Sequence, residues 1–291
     1  MCDETTAELH DAALAARGLS RREFAALGAA VALSACASNG NARPGEQELF
    51  EETVRITTAD GIADAFFVHP AKGKWPGVIM WPDIAGLREA MKIMARRLAS
   101  SGHAVLVVNQ YYRTQPAPVM ESFSEFLDPE GRKKAMALYA TVTPELVTRD
   151  AKAFVAFLDS KAAVDKKRGI GSNGYCMGGS FAVRTAAAAP GRVKAAASFH
   201  GGGLVTDKPD SPHLLLAGTK ASYLFAIARE DDAKAPTDKD VLRKTAQEAG
   251  RPAEAAVYPA AHGWMVPDSP VYDPTQADLG FEQMLGLFLN M

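Results

Sequence analysis

Six residues, Gly174-Tyr175-Cys176-Met177-Gly178-Gly179, constrain this chain more than any other stretch. They follow a strand-like segment around Ile170 and precede the alanine-rich run Ser180 to Ala189. That order reads as strand, sharp turn, helix. Such a turn forces its central residue into a strained backbone conformation, and a side chain two positions away on either side would meet the neighbouring strand or helix. Glycine at 174 and 178 meets that demand. The pattern is G-x-S-x-G with cysteine in place of serine. Met177 then offers a backbone N–H at a helix N-terminus, where partial positive charge stabilises a thiolate or an oxyanion.

A lone G-x-C-x-G also suits a small buried cysteine under a tightly packed helix, so the surroundings have to decide. The chain alternates strands and helices in a way that favours a parallel sheet. Two strand-like segments, Thr53 to Thr58 and Ala63 to Val68, are joined by the tight turn Ala59-Asp60-Gly61 and open the domain as an antiparallel pair. Gly77 to Trp81 and Ala104 to Val108 are short continuous apolar runs of the buried parallel type. Between them, Met91, Met94, Ala95 and Leu98 form a helical stripe that ends at Gly102. Tyr111 to Thr143 reads as a long irregular excursion, the kind that often serves as a lid. A helix from Pro144 to Leu158 follows, then the Ile170 strand, the elbow and its helix, and strands at Val193 to Phe199, Tyr223 to Ala228 and Ala255 to Tyr258. Helices are expected over Asp238 to Ala249 and Phe281 to Leu289. The result is a mostly parallel, doubly wound α/β sheet.

In that architecture reactive groups gather at the C-terminal edge of the strands. The strand at Tyr223 runs into Glu230-Asp231-Asp232, and the strand at Ala255 runs into Ala261-His262-Gly263. Cys176, then Asp231 or Asp232, then His262 therefore fall in the order nucleophile, acid, base, each at a strand end. The chemistry needs all three: the histidine takes the thiol proton and returns it to the leaving group, and the carboxylate fixes its tautomer. His200-Gly201-Gly202-Gly203 lies downstream of the cysteine and reads as a loop lining the pocket. The upstream oxyanion position belongs to Trp81-Pro82-Asp83-Ile84-Ala85-Gly86, with the Ile84 N–H as partner to that of Met177.

The start of the chain reads differently. Ser20-Arg21-Arg22-Glu23-Phe24 precedes an uncharged run to Ala35, too short for a bilayer span of about 20 residues. This is the pattern of a twin-arginine export signal over residues 1–35. Leu33-Ser34-Ala35-Cys36 resembles a lipobox, which would place a lipid anchor on Cys36. Residues 36–50 read as a flexible tether and 51–291 as the domain. Of three cysteines, only Cys176 then remains in the mature domain, and no disulfide framework is available. A net charge of −2 gives no sign of nucleic-acid or electrostatic membrane binding. Neither a phosphate loop nor a metal-ligand cluster stands out, so no cofactor is expected.

A cysteine in the elbow, an acidic residue in the first oxyanion loop and the Cys–Asp–His order together resemble the dienelactone hydrolase family. The resemblance runs from about Glu51 to Met291 and implies an α/β-hydrolase fold with helices on both faces of the sheet. It implies hydrolysis of a small ester or lactone through a thioester, with Cys176 as nucleophile, Asp231 as acid and His262 as base. It places on Asp83 the acidic residue that holds the resting thiol, shorter than the family's usual Glu, and on Arg113 an arginine that binds a substrate carboxylate. Gly263 to Pro267 lacks the second arginine of the dienelactone-specific members, and an export signal is foreign to an intracellular catabolic enzyme. Both departures point to another substrate. A non-catalytic binding lipoprotein would have no need of all three groups, and a redox role for Cys176 would lack a resolving cysteine.

Overall fold

The computed structural model describes residues 4–20, 23–24 and 47–291. Its centre is an eight-stranded sheet in the order β1-β2-β4-β3-β5-β6-β7-β8. The strands are β1 (Leu49–Thr58), β2 (Gly61–Pro70), β3 (Gly77–Trp81), β4 (Ala104–Val108), β5 (Ile170–Tyr175), β6 (Val193–Phe199), β7 (Ser222–Ala228) and β8 (Ala253–Tyr258). β1 and β2 form an antiparallel hairpin in which Thr58 faces Gly61, and β2 pairs antiparallel with β4. Every other pairing is parallel. In β1 the inward residues Val54 and Ile56 alternate with exposed ones, as one covered face requires. β3 and β4 are buried along their whole length because helices cover both faces.

Among the described residues the α-helices are α1 (Glu4–Ala16), α2 (Glu89–Ser100), α3 (Ser124–Leu127), α4 (Pro129–Tyr139), α5 (Pro144–Ser160), α6 (Met177–Ala188), α7 (Pro212–Leu215), α8 (Arg229–Lys234), α9 (Asp238–Glu248) and α10 (Pro274–Phe288). Successive side chains of β3 feed two separate cores. Ile79 and Trp81 join a cluster with Phe154 of α5 and Phe181 of α6, whereas Val78 and Met80 join one with Met91 and Leu98 of α2 and Met284 and Phe288 of α10. Trp81 packs edge-on against Phe154 and Phe181, and its indole N–H donates to Thr185 Oγ1 at 2.9 Å. The parallel, doubly wound sheet with helices on both faces expected from the sequence is thus present. β3 and β4 progress toward one edge while β5 to β8 progress toward the other, so the chain changes direction between β3 and β5. That crevice is where open α/β sheets bind ligands.

Two segments differ from the sequence expectation. The excursion from Tyr111 to Thr143 contains α3 and α4; Asp128 caps α4 by accepting the Glu130 N–H at 2.9 Å, and Pro129 fills its first turn. The N-terminus, expected outside the fold, includes α1, whose Thr6, His10 and Leu14 form a buried stripe at helical spacing. The twin arginines, the apolar run beyond Phe24, Cys36 and the tether up to Glu46 lie outside the described residues. Among the described residues no helix is long and apolar enough to cross a membrane.

Candidate active site

Cys176 sits between β5 and α6 with φ 54° and ψ −118°, a left-handed conformation that costs a non-glycine residue about 1–3 kcal/mol. The surroundings hold it there. Its N–H reaches the Phe199 carbonyl and His200 Nδ1, both at 3.1 Å, and its carbonyl accepts the Gly179 and Gly202 N–H groups. A Cβ on Gly174 would overlap the Gly178 carbonyl oxygen, and one on Gly178 would run into the carbonyls of Trp81 and Pro82. Both glycines are therefore demanded by close backbone approach, as the motif implies.

β7 and β8 deliver the other two groups. His262 Nδ1 lies 2.6 Å from Asp231 Oδ2, and the ring also hydrogen-bonds the Cys176 side chain. Asp232 turns away and pairs with Lys239 Nζ at 2.6 Å. The adjacent aspartates, inseparable in the sequence, are thus told apart by their partners. Burial alone would lower the His262 pKa. The charge of Cys176 and the hydrogen bonds to Asp231 and Cys176 outweigh it, and the value is raised to about 9. At neutral pH this arrangement keeps the His262 imidazole protonated beside the Cys176 sulfur.

Met177 N–H is the first amide of α6, and Ile84 N–H follows β3 across the crevice. Among the described residues, neither donates to a backbone carbonyl. Tyr111 ties their two residues together: its hydroxyl donates to the Ile84 carbonyl at 2.9 Å and lies 3.2 Å from Met177 Sδ. A small cavity of about 50 Å³ opens beside Cys176, lined by Ile84, Met177, Ser180, Gly202 and Gly203 with Met136 and Tyr139 of α4. Of the loop expected to line the pocket, Gly202 and Gly203 do so, whereas His200 is buried beneath Cys176 and is not part of the wall.

Asp83 and Arg113 are each held by charged partners. Asp83 makes a bidentate pair with Arg88 Nη1 and Nη2, at 2.7 and 2.9 Å, and Arg88 donates to Asp268 from Nε and from the same Nη2, both at 2.7 Å. Burial opposes the charge of Arg88, but Asp268 and Asp83 together raise its pKa. Burial pushes Asp83 up despite the Arg88 contact; the forked geometry is nevertheless that of an ion pair. Arg113 grips Asp150 through two nitrogens at 2.7 and 2.8 Å, contacts Asp60 at 2.6 Å, and stacks 4.5 Å from the Tyr112 ring.

Two further histidines come close. His200, itself at φ 41°, accepts the Cys176 N–H on Nδ1, which leaves its proton on Nε2. Its ring is 5.0 Å from that of His262, and burial together with His262 keeps it neutral. His10 of α1 places Nε2 3.4 Å from the His262 carbonyl and meets Phe123 edge-on. Burial lowers its pKa to about 4. Sequence reading missed Arg88, Asp268, Tyr111 and His10. Asp83 and Arg88 are five apart in a loop, Asp268 is remote, and no local pattern links them. The Thr6-His10-Leu14 spacing was visible but is a weak apolar signal.

Comparison with known proteins gives the family. The chain is 27% identical over 280 residues to a Methylorubrum extorquens protein named "Putative carboxymethylenebutenolidase", covering 93% of this chain and 92% of that one. It is 30% identical over 131 residues to a carboxymethylenebutenolidase of Rhodococcus opacus, covering 44% of this chain and 46% of that one. The crystal structure of a "Putative Dienelactone Hydrolase" from Klebsiella pneumoniae superposes with a TM-score of 0.72 at 22% identity, over 84% of this chain and all of the other, which speaks to the fold. The model of the dienelactone hydrolase family matches residues 63–291, and the chain belongs to that family.

Proposed function

We propose that this protein is a cysteine hydrolase that cleaves small esters or lactones through a thioester. The observation that carries this reading is the continuous contact from Cys176 to His262 to Asp231, set at the ends of β5, β8 and β7. The Cys176 thiolate attacks the acyl carbon, and the carbonyl electrons move onto the oxygen. The Met177 and Ile84 N–H groups receive that oxyanion. The intermediate collapses, the C–O bond breaks, and the leaving alkoxide takes its proton from the His262 imidazolium. Neutral His262 then accepts a proton from water as the water attacks the thioester carbon. Collapse releases the acid and regenerates the thiolate–imidazolium pair. Asp231 holds the imidazole in register throughout. Asp83 bounds the oxyanion loop, with its side chain accepting the Ala85 N–H at 2.9 Å.

The N-terminal pattern supports a further part of the reading: residues 1–35 direct export by the twin-arginine machinery, and Cys36 carries a lipid that tethers the domain at the membrane. Labelling cells with a radioactive or alkyne-bearing fatty acid tests this, since a Cys36→Ala chain should lose the label. The catalytic reading is tested by the hydrolysis of short p-nitrophenyl esters and lactones. Wild type should turn them over and Cys176→Ala should not; full activity in Cys176→Ala would remove the cysteine from the mechanism.

A further inference from the structure

On the reading of Cys176 as the nucleophile, we infer that the acyl group this enzyme accepts is apolar and uncharged, and that α4 sets this preference through Met136 and Tyr139. The cavity beside the thiol is walled by Ile84, Met177, Met136 and Tyr139, and Ser180 supplies the one side-chain hydroxyl besides that of Tyr139. None of these described lining residues carries a charge. Met136 and Tyr139 are three apart on α4, so both present from one side of that helix.

A carboxylate on the acyl chain would need a cation there, because burying it against apolar walls without one is strongly unfavourable. Arg113, in the loop after β4, and Arg88, in the loop after β3, are already committed. Arg113 faces Asp150 with two nitrogens and Asp60 with another contact, two carboxylates on one guanidinium. Arg88 faces Asp83 and Asp268 in the same ratio. Arg149 also pairs with Asp60, so two arginines and two aspartates close the Arg113 cluster, and Arg88 is outnumbered by its two carboxylates; neither offers an uncompensated positive charge to a substrate carboxylate. Arg132, one turn before Met136, lies 5.6 Å over the Phe126 ring and is not part of the cavity wall. An alkyl or aryl acyl chain instead covers Met136, Tyr139 and Ile84, and that burial is the favourable term.

The test compares p-nitrophenyl butyrate with mono-p-nitrophenyl succinate, esters that differ by a terminal carboxylate. Wild type should favour butyrate in kcat/KM by roughly 10²-fold. Arg113→Ala should leave that ratio unchanged, and Met136→Arg should narrow it by about tenfold by supplying a cation. A wild-type preference for succinate that Arg113→Ala abolishes would overturn the inference. Binding of 2-hexanone and of levulinate to the Cys176→Ala chain, followed by ligand-observed NMR, reads the pocket without turnover. Binding of the uncharged ketone alone supports the inference, and tighter binding of levulinate, or binding of neither, overturns it. Ketone binding without ester turnover in wild type would leave the pocket standing and remove the hydrolase reading, so the two failures are separable.

Discussion

The loops on the two sides of β5 start from the same kind of place and end in opposite chemistry. On one side, the loops after β7 and β8 bring Asp231 and His262 onto Cys176, and one carboxylate faces one imidazole. On the other, the loop after β4 carries Arg113 into a pair of carboxylates from the β1–β2 turn and from α5. Both lie at strand ends, where a reactive or binding role is expected. The difference is what the partners leave over. The His262 ring sits between the Asp231 carboxylate and the Cys176 side chain, whereas Arg113, Arg149, Asp60 and Asp150 close on one another and hold the hairpin, α5 and the β4 loop together. Position at a strand end is necessary for a site and does not suffice for one.

The largest effect should come from the side with chemistry. Replacing Cys176 or His262 by Ala should lower kcat by roughly 10⁴–10⁶-fold, read by ester hydrolysis under saturating substrate. Asp231→Asn should cost roughly 10²–10⁴-fold while Asp232→Asn stays near wild type, because Asp232 pairs with Lys239 instead. The pH profile sharpens the same point. With the His262 pKa raised to about 9, the imidazolium is present at neutral pH and lost as pH rises through that value. The alkaline limb of kcat/KM should therefore fall near pH 9, and in Asp231→Asn it should move to lower pH.

Stability should report the arginine clusters. Arg88→Met leaves the buried Asp83 and the part-buried Asp268 without their cation and should cost about 3–5 kcal/mol in urea unfolding. Arg113→Ala, partly exposed, should cost only about 1 kcal/mol and leave the KM of a neutral ester unchanged. A larger rise in KM than loss of stability would break the contrast between the two sides. The smallest effect is expected from removing residues 1–35, which should leave the sheet and both cores folded by circular dichroism. It would expose Phe123 and the His262 loop where α1 now packs.

Much of this was legible in the sequence for a physical reason. The elbow needs glycine at 174 and 178 because carbonyls stand where a Cβ would be, and buried parallel strands such as β3 and β4 need unbroken apolar runs. Both requirements are local, so the fold and the cysteine could be read directly. Whether Asp231 or Asp232 meets His262 depends on the turn of α8, and the state of Arg113 depends on acids 53 and 37 residues away. Those are facts of tertiary packing. The same holds for α1, whose buried stripe is short and mostly polar, and for the apolar wall that α4 builds inside an excursion with no clear periodicity.

The central claim is a covalent acyl group on Cys176. Rapid acid quench of the protein with excess p-nitrophenyl butyrate, followed by peptide mass spectrometry, reads it directly. The account predicts a butyryl mass increment on the peptide containing Cys176, formed as p-nitrophenol is released and absent from Cys176→Ala. Steady turnover with no adduct on that peptide, or an adduct elsewhere that survives in Cys176→Ala, would contradict it.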